Sequence, residues 1–457
     1  MRRPSIRHTL CVAASAVVMG SVWLGSLGGC SVEWGDMPAL CSEGACPEGY
    51  DCIQGVCALP GTTVPTLVTE VGNLRGPDLR IVPQSDSVLV VWESYPYNEP
   101  VGQALIAKRL YPDGSTSEEL VLEDTWQADA GAVEPFYDVV ALSDTELLLT
   151  LSSSPLDDDP RPRMIVFRAT LPAPGQDGAV DSSLAWDDQI RMSTIGYGNV
   201  SQPRFIRVPS EERVKLGYFE GIVDEGATGG RLVVFNLRED GSHAVAPTTC
   251  AIGDATCCPG AVCYSSTRDE AIAAGVASAT TAGNEIGWTI DETRPSFMVT
   301  GAADELTEIG LQDLSVPLAV EGTSVVQLVP SERSGEALPE DPVEGPARIV
   351  RSALATGDST ELAEIDPIRD NPRPAWIPRG GGGLLLTPGA DISSPELHVY
   401  SVDTTDGTTK KVLSIPRRSQ LTVGSVQAAV VGDKLYVVWL DVADDRAVIR
   451  ASVVDVP

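Results

Sequence analysis

The sequence is poor in histidine, in aromatic residues and in positive charge. Of its 457 residues only three are histidine and 5% are aromatic, and 32 lysines and arginines face 64 acids, a formal net charge of -32. Nucleic-acid binding requires clustered basic residues, so this charge balance argues against a nucleic-acid partner. Forty-three glycines and 34 prolines exclude a coiled coil, and a hydrophobic content of 43% excludes wholesale disorder.

Only one long hydrophobic run is present, and it lies at the N-terminus. Arg2, Arg3 and Arg7 precede an uncharged run from Leu10 to Gly29. A basic start, an apolar middle and small residues at the end are typical of a secretory signal peptide. About 20 apolar residues could also span a bilayer as an uncleaved helix, but the run is rich in glycine, serine and alanine, which favours a signal.

The end of this run carries a family motif. Leu27-Gly28-Gly29-Cys30 resembles the lipobox of bacterial lipoproteins. The resemblance implies that residues 1–29 are removed as a signal peptide and that Cys30 is lipidated. Because Ser31 rather than aspartate follows the cysteine, it also implies sorting to the outer membrane, facing the periplasm or the cell surface. We therefore expect residues 30–40 to tether a folded body to the membrane.

Eight further cysteines are expected to form disulfides, whereas Cys11 leaves with the signal. They fall into two groups of four: Cys41, Cys46, Cys52 and Cys57, and Cys250, Cys257, Cys258 and Cys263. Even clusters in an exported chain indicate disulfides, since the compartment outside the cytoplasm is oxidising. All three pairings of the first group stay open. A bond between the adjacent cysteines of the second group would strain the backbone, which leaves two pairings there.

Zinc binding is the competing interpretation of these cysteines. Cys46 and Cys52 lie too close together for the intervening loop of a zinc ribbon, and no histidine is near them. The segment 41–57 instead resembles the small Cys-Pro-x-Gly-x-x-Cys knots that follow the anchor in some exported bacterial proteins. The resemblance implies a disulfide-rich mini-module, since so short a segment cannot bury a core of its own.

Weak repeats occupy the chain from about residue 74 onward. A short apolar run recurs seven times, at 88–92, 147–151, 214–218, 285–290, 324–329, 383–387 and 435–439. Each is followed by a second strand-like run, and several of these second runs lead into an Asp-Gly turn: Asp113-Gly114, Asp240-Gly241 and Asp406-Gly407. Asp-Gly between two apolar runs is typical of a hairpin, because the turn needs a positive φ.

Repeats of roughly 54 residues, each with several short strands, predict a β-propeller, an all-β fold. We expect seven four-stranded blades over residues 62–457, with a disulfide-stapled insertion at 250–263. The last repeat supplies three strands, so the strand-like segment 66–72 is expected to complete it and to close the ring. Six or eight blades, or tandem β-sandwiches, are the alternatives.

Catalytic motifs are not apparent in the mature chain. His398 falls in an alternating run and is expected on a strand, and His243 follows a turn and is expected in solvent. No nucleophile elbow, zinc-protease pair or phosphate-binding loop is found, and Gly380–Gly383 is interpreted as a turn. Trp92 and Trp439 occupy the same point of the repeat, which favours blade packing over sugar stacking.

Acids recur in the connections between the second and third strands of the predicted blades, which emerge on one face of a propeller. The candidate cation ligands among them are Asp157, Asp158, Asp159, Asp441, Asp444 and Asp445. Carboxylates of this kind bind calcium, and a negative field attracts cations or a basic partner. No cofactor is expected other than calcium bound by these acids.

The predicted function is that of a non-catalytic cell-envelope lipoprotein whose acidic propeller binds or scaffolds a protein or polysaccharide partner. Two alternatives stay open: a carbohydrate-active enzyme or lectin, and a calcium-binding structural protein of the envelope. For the first, residues 401–408 partly resemble the Ser-x-Asp-x-Gly-x-Thr-Trp turn of sialidases, although the tryptophan is missing. The sequence does not identify the partner or the oligomeric state.

Overall fold

A computed structural model provides the structure of the protein. It describes residues 39–40, 46, 48–49, 51–53, 56–58, 65–71, 79–94, 104–123, 137–153, 163–176, 178–185, 200–208, 213–224, 227–244, 262–266, 275–279, 285–290, 296–300, 305–309, 316–321, 324–331, 343–353, 358–369, 374–391, 394, 396–417, 422–443 and 446–457.

The described residues form an all-β structure. An N-terminal sheet contains β1 (Ala39–Leu40), β2 (Asp51–Ile53) and β3 (Val56–Ala58). Sheet 1 contains β5 (Arg80–Pro83), β6 (Val88–Ser94), β7 (Ala104–Leu110) and β8 (Leu120–Glu123). Sheet 2 contains β9 (Tyr137–Ala141), β10 (Glu146–Ser153), β11 (Arg163–Thr170) and β12 (Asp181–Leu184). Sheet 3 contains β13 (Val200–Val208), β14 (Arg213–Asp224), β15 (Ala227–Arg238) and β16 (Val262–Ser266).

The remaining sheets follow in chain order. Sheet 4 contains β17 (Gly275–Ala279), β18 (Glu285–Ile290), β19 (Ser296–Thr300) and β20 (Glu305–Ile309). Sheet 5 contains β21 (Val316–Glu321), β22 (Ser324–Val329), β23 (Ala347–Ala353) and β24 (Ser359–Ile365). Sheet 6 contains β25 (Ala375–Arg379), β26 (Gly382–Thr387), β27 (Glu396–Asp403) and β28 (Thr409–Pro416). Sheet 7 contains β29 (Thr422–Val431), β30 (Lys434–Ala443), β31 (Arg446–Asp455) and β4 (Thr66–Val71).

Sheets 1 to 7 are four-stranded antiparallel meanders arranged in a ring. The first strands of successive sheets contact one another in the order β5, β9, β13, β17, β21, β25 and β29, and β29 contacts β5 again. Each sheet therefore radiates outward from a closed ring of inner strands, which is the architecture of a β-propeller. The predicted propeller class is confirmed, and all seven recurring apolar runs fall on the second strands of these sheets.

The strand β4 closes the ring. It pairs antiparallel with β31, with Thr66 opposite Ala451 and Val71 opposite Ala447, and so becomes the outermost strand of sheet 7. The first and last parts of the propeller thus share one sheet, as the sequence predicts for residues 66–72. Val68 and Val71 are buried against neighbouring strands, so the closure is held by apolar packing as well as by hydrogen bonds.

The core consists of apolar layers between neighbouring sheets. In β30, Leu435, Val437 and Trp439 pack in the layer toward sheet 6, and the alternate residues of the same strand pack in the layer toward sheet 1. Because side chains alternate between the two faces of a strand, a strand covered on both faces must be apolar at nearly every position. This packing explains the continuous apolar runs of the second strands.

The Asp-Gly turns follow the third strands of sheets 1, 3 and 6. Gly114, Gly241 and Gly407 have φ angles of 80°, 80° and 78°, which favour glycine. A Cβ atom on Gly241 would lie 2.8 Å from Cβ of Ala185, and one on Gly407 would lie 2.6 Å from Cβ of Leu362. Ala185 directly follows β12 and Leu362 lies in β24, so in each case glycine lets the turn approach the preceding sheet closely.

The N-terminal sheet contains a disulfide. Its strand order is β1-β3-β2, and Cys46 is bonded to Cys57 of β3. This bond resolves part of the pairing that the sequence left open. Cys41 lies outside the described residues, and for Cys52 only the backbone, in β2, is described.

The structure describes only one cysteine of the second group. Cys263 lies in β16, the fourth strand of sheet 3, and Cys250, Cys257 and Cys258 lie outside the described residues. The predicted export signal also lies outside them. Among the described residues, no helix is long and apolar enough to cross a membrane.

Candidate functional site

Asp441 is the one candidate cation ligand of the predicted acidic face that lies among the described residues. The other five candidate cation ligands, Asp157, Asp158, Asp159, Asp444 and Asp445, lie outside the described residues. Asp441 lies near the end of β30, and Arg417 directly follows β28 of the preceding sheet. Second and fourth strands of a meander run in the same direction, so both residues come to the same face of the ring.

Asp441 is the centre of a buried ion cluster. Its Oδ1 accepts hydrogen bonds from Nε and Nη2 of Arg417 at 3.2 and 2.8 Å, and its Oδ2 accepts one from Nε1 of Trp439 at 3.0 Å. Nε of Arg450 lies 3.7 Å from the same Oδ2. The side chains of Asp441 and Arg417 have no solvent exposure.

Burial and neighbouring charges act on this cluster in opposite directions. Loss of solvent raises the pKa of Asp441, whereas the guanidinium groups of Arg417 and Arg450 lower it. Loss of solvent also lowers the pKa of Arg450. Both oxygens of Asp441 are taken by donors from sheets 6 and 7. Asp441 therefore does not belong to the solvent-exposed acidic surface, where the sequence pattern places it, because it pairs with an arginine from the adjacent sheet.

A second charged pair joins the innermost strands of sheets 1, 2 and 3. Nε of Arg80 on β5 lies 3.0 Å from Oδ1 of Asp138 on β9, and the backbone N–H of Phe205 on β13 donates to Oδ2 at 2.6 Å. The guanidinium of Arg80 also lies over the ring of Tyr137, 5.4 Å from its centroid. This carboxylate therefore links the first strands of three successive sheets.

His243 and His398 lie in different environments. His398 lies on β27, as predicted, and it is half-buried there, with Nδ1 3.4 Å from Oγ of Ser414. The prediction that His243 is in solvent is wrong. Its ring lies 5.3 Å from that of Phe235, because the segment after the turn bridges back to Leu237, and burial lowers the pKa of His243 to about 4.

Trp92 and Trp439 pack in the core, as their shared position in the repeat predicts. Trp92 and Trp439 are 2% and 0% exposed, each in a layer between two sheets, so neither can stack on a sugar. Trp376 is half-buried over Gly383, where a Cβ atom would lie 2.3 Å from its ring. That contact gives the glycine run a second role besides the turn at Gly380 and Gly381.

Metal binding finds no new support in the described part of the chain. No three His, Cys, Asp or Glu side chains within it are placed to hold a metal ion. The calcium site predicted from the loop acids depends on residues beyond that part, and it stays a prediction.

An open groove lies on the outer wall of the ring between sheets 1 and 2. It has a volume of about 790 Å³ and is bordered by β8 and β12, the outermost strands of the two sheets. Val121 and Leu184, which contribute to its lining, are the large apolar residues that are exposed in the described structure, at 47% and 50%. A concave surface with apolar area and a few polar groups is the usual form of a binding site.

Side chains from the two walls meet inside the groove. Oγ of Ser182 on β12 donates to Oε2 of Glu123, the last residue of β8, at 3.0 Å. Glu123 is only 6% exposed. Leu184 lies two residues beyond Ser182, so its side chain points to the same side of the strand, where its cross-strand partner is Phe167. The groove combines an apolar wall with a carboxylate.

Sequence reasoning missed this groove. The runs that form it, Leu120–Glu123 and Asp181–Leu184, are four residues long and lie some 60 positions apart. A signal is present at one place only, since Leu184 is an isolated apolar residue in an otherwise polar edge strand. Only the packing of sheet 1 against sheet 2 brings the two strands together.

Comparison with known proteins finds similarity to solved structures alone. The sequence matches no family model and no curated protein. Similar solved structures include a polysaccharide lyase, Uly1, with 9% identity and a TM-score of 0.48 over 88% of this chain and 94% of the lyase. A Trypanosoma rangeli sialidase in complex with sialic acid has 11% identity and a TM-score of 0.43 over 83% of this chain and 54% of the sialidase.

A third similar structure is a WD40 domain. The WD40 domain of coronin from Toxoplasma gondii has 10% identity and a TM-score of 0.42, and the match covers 85% of each chain. At identities of 9–11% and TM-scores below 0.5, these likenesses carry no argument about what this chain binds or catalyses.

Proposed function

We propose that the protein is a lipid-anchored binding module of the cell envelope, whose propeller recognises a protein or polymer partner without catalysing a reaction. The observation that carries this proposal is the groove between β8 and β12. It presents Leu184 to solvent beside a carboxylate on the outer wall, where a large partner can reach it.

The packing around the groove supports a preformed site. Its floor belongs to the apolar layer between sheets 1 and 2, which includes Leu120, Leu122 and Phe167. The charged pairs Arg80–Asp138 and Arg417–Asp441 bind neighbouring sheets to one another. A rigid scaffold loses little conformational entropy when a partner binds, which favours recognition.

Anchoring is proposed from the lipobox resemblance alone and is tested separately. Cys30→Ala should move the protein from the membrane fraction to the soluble fraction and should abolish incorporation of labelled fatty acid. Gly28→Ala, which keeps the cysteine, is the control. If the Cys30→Ala protein stayed in the outer-membrane fraction, lipid anchoring through Cys30 would be contradicted.

Partner binding is tested with the tagged, lipidated protein on crosslinked envelopes. A partner should be recovered near one-to-one with the wild type and lost with Leu184→Asp. The control Thr360→Asp adds the same charge to an exposed position of β24, another outermost strand, and should keep the partner. Equal recovery with both variants would refute the groove as the binding site, and turnover of glycosides by the wild type would refute the non-catalytic role.

A further inference from the structure

Four outermost strands carry a β-bulge. In sheet 6, Val399 of β27 lies opposite Leu413 of β28. The next pair joins Tyr400 to Lys411, so Val412 has no residue opposite it on β27. The same one-residue shift leaves one residue without an opposite neighbour in three other outermost strands: Leu122 of β8, Leu362 of β24 and Val68 of β4. A bulge of this kind bends the strand and increases its twist.

The bulges of β28 and β24 turn two successive side chains toward the same neighbouring sheet, whereas side chains on a regular strand alternate between the two faces. Val412 and Leu413 both pack in the apolar layer between sheets 6 and 7. Leu362 and Ala363 both pack in the layer between sheets 5 and 6. The extra residues of the other two bulges are buried in such layers as well: Val68 and Leu122. Packing against the next sheet therefore holds each bulge in place.

The longest outermost strands all carry a bulge. They are β4, β24 and β28, with six, seven and eight residues. The outermost strands β12, β16 and β20 have four or five residues and pair in regular register along their whole described length. β8 is the one short outermost strand with a bulge. A long, flat outermost strand pairs readily with a strand of another molecule, whereas a short or bulged one does not. The bulges thus coincide with the edges that are most able to pair.

The outer walls of sheets 5 and 6 are in contact with solvent. Lys410, Lys411 and Pro416 of β28 are exposed. Glu361 and Glu364 of β24 are exposed as well. Lysine and proline on an outermost strand oppose pairing, because the lysine charge would be desolvated and proline has no backbone N–H. Residues that oppose pairing therefore lie on the same strands as the bulges.

We propose that the bulges of β4, β8, β24 and β28 prevent a second copy of the protein from adding a strand to the outer walls of the propeller. The bend moves the backbone N–H and C=O groups of the outermost strand out of the straight row that an added strand needs. The extra apolar residue, packed against the next sheet, keeps the strand from straightening. The proposed lipid anchor concentrates many copies on one membrane, where the outer walls of neighbouring copies meet. The inference goes beyond the proposed binding function and does not depend on it.

Deletion of Val412 tests the proposal. It removes the bulge and leaves Lys411 and Leu413 opposite their present partners, so β28 becomes a regular strand. Val412→Ala is the matched control, because it shortens the same side chain and keeps the bulge. Sedimentation of the detergent-solubilised, full-length protein measures self-association. The deletion should lower the Kd of the dimer at least about tenfold relative to the control, which corresponds to ~1.4 kcal/mol. A folded deletion variant that stays as monomeric as Val412→Ala would overturn the proposal.

Two further variants separate the bulge from other effects. Deletion of Leu362, with Leu362→Ala as its control, removes the bulge of β24 and repeats the measurement in sheet 5. The double variant Lys410→Thr/Lys411→Thr keeps the bulge of β28, so it should stay monomeric. If this lysine variant associated as strongly as the Val412 deletion, charge rather than the bulge would prevent pairing, and the proposal would be wrong.

Hydrogen exchange locates the contact between the copies. When the Val412 deletion variant associates, the backbone amides of β28 should gain protection and those of β24 should not, because the added strand bonds to the edge of β28. Thermal unfolding verifies that each variant is folded. Protection that appeared only outside β28 would refute edge pairing as the cause of association.

Discussion

The buried cluster around Asp441 gives a sharp test of how charge holds the ring together. We consider Asp441→Asn, which keeps the shape of the side chain and replaces one oxygen by an NH₂ group. The amide nitrogen cannot accept a hydrogen bond, so either Arg417 or Trp439 loses its acceptor. At the same time the guanidinium groups of Arg417 and Arg450, with 0% and 2% exposed side chains, lose their buried counter-charge.

The expected cost follows from this geometry. Removal of one partner from a buried ion pair leaves an uncompensated charge, which costs about 3–5 kcal/mol of unfolding free energy. The matched control is Glu146→Gln, whose partner Arg168 lies 2.6 Å away, with both side chains more than a third exposed. A solvent-exposed pair contributes less than about 1 kcal/mol, so this control should change stability little.

Urea unfolding followed by circular dichroism measures both variants. Asp441→Asn should lower the midpoint with an unchanged m-value, because the surface exposed on unfolding stays the same. The double variant Asp441→Asn/Arg417→Met should recover part of the loss, since one of the two guanidinium groups that lost Asp441 as a counter-charge is gone. A loss below about 1 kcal/mol for Asp441→Asn, equal to that of the control, would refute the idea that the pair stabilises the contact between sheets 6 and 7.

Three further results are expected. Gly241→Ala should cost about 2–4 kcal/mol in urea unfolding, because it combines a positive φ with a clash against sheet 2; Gly432→Ala, with a φ of 60° and open space, should cost only about 1 kcal/mol. The pKa of His243 falls from 6.5 in the unfolded chain to about 4 in the fold, so the unfolded state binds more protons between these values. Thermal stability should therefore decrease as the pH is lowered from about 6.5 to about 4, and less so in His243→Gln; an identical pH profile for both would contradict this reasoning. Removal of residues 1–71 deletes β4 and exposes an edge of sheet 7, so this truncation should self-associate in size-exclusion chromatography, whereas removal of residues 1–58 should not.

Sequence reasoning located most of the fold because its signals are local. The apolar runs at 88–92 and 435–439 correspond to β6 and β30, and segment 66–72 corresponds to β4. The Asp-Gly turns at Gly114 and Gly241 were also found, since the turn conformation depends on a few adjacent residues.

The charged sites were harder to place, because a charged residue has the same appearance in sequence whether it is buried or exposed. Asp441 resembles any acid at the end of a strand, and its burial follows from Arg417, which lies 24 positions away. His243 was expected in solvent because a turn precedes it, and its contact with Phe235 depends on how the chain returns to sheet 3. In both cases the deciding partner lies outside the local pattern.

By itself the sequence determined the strands, the turns and the all-β class, because hydrophobic alternation and glycine conformation act over a few neighbouring residues. It also contains the motif from which lipid anchoring is proposed. Only the tertiary structure decided which charges are buried and where a partner can dock. The pair Arg417–Asp441 and the groove between β8 and β12 each form where two separate sheets meet. Burial and concavity arise from such packing between distant segments.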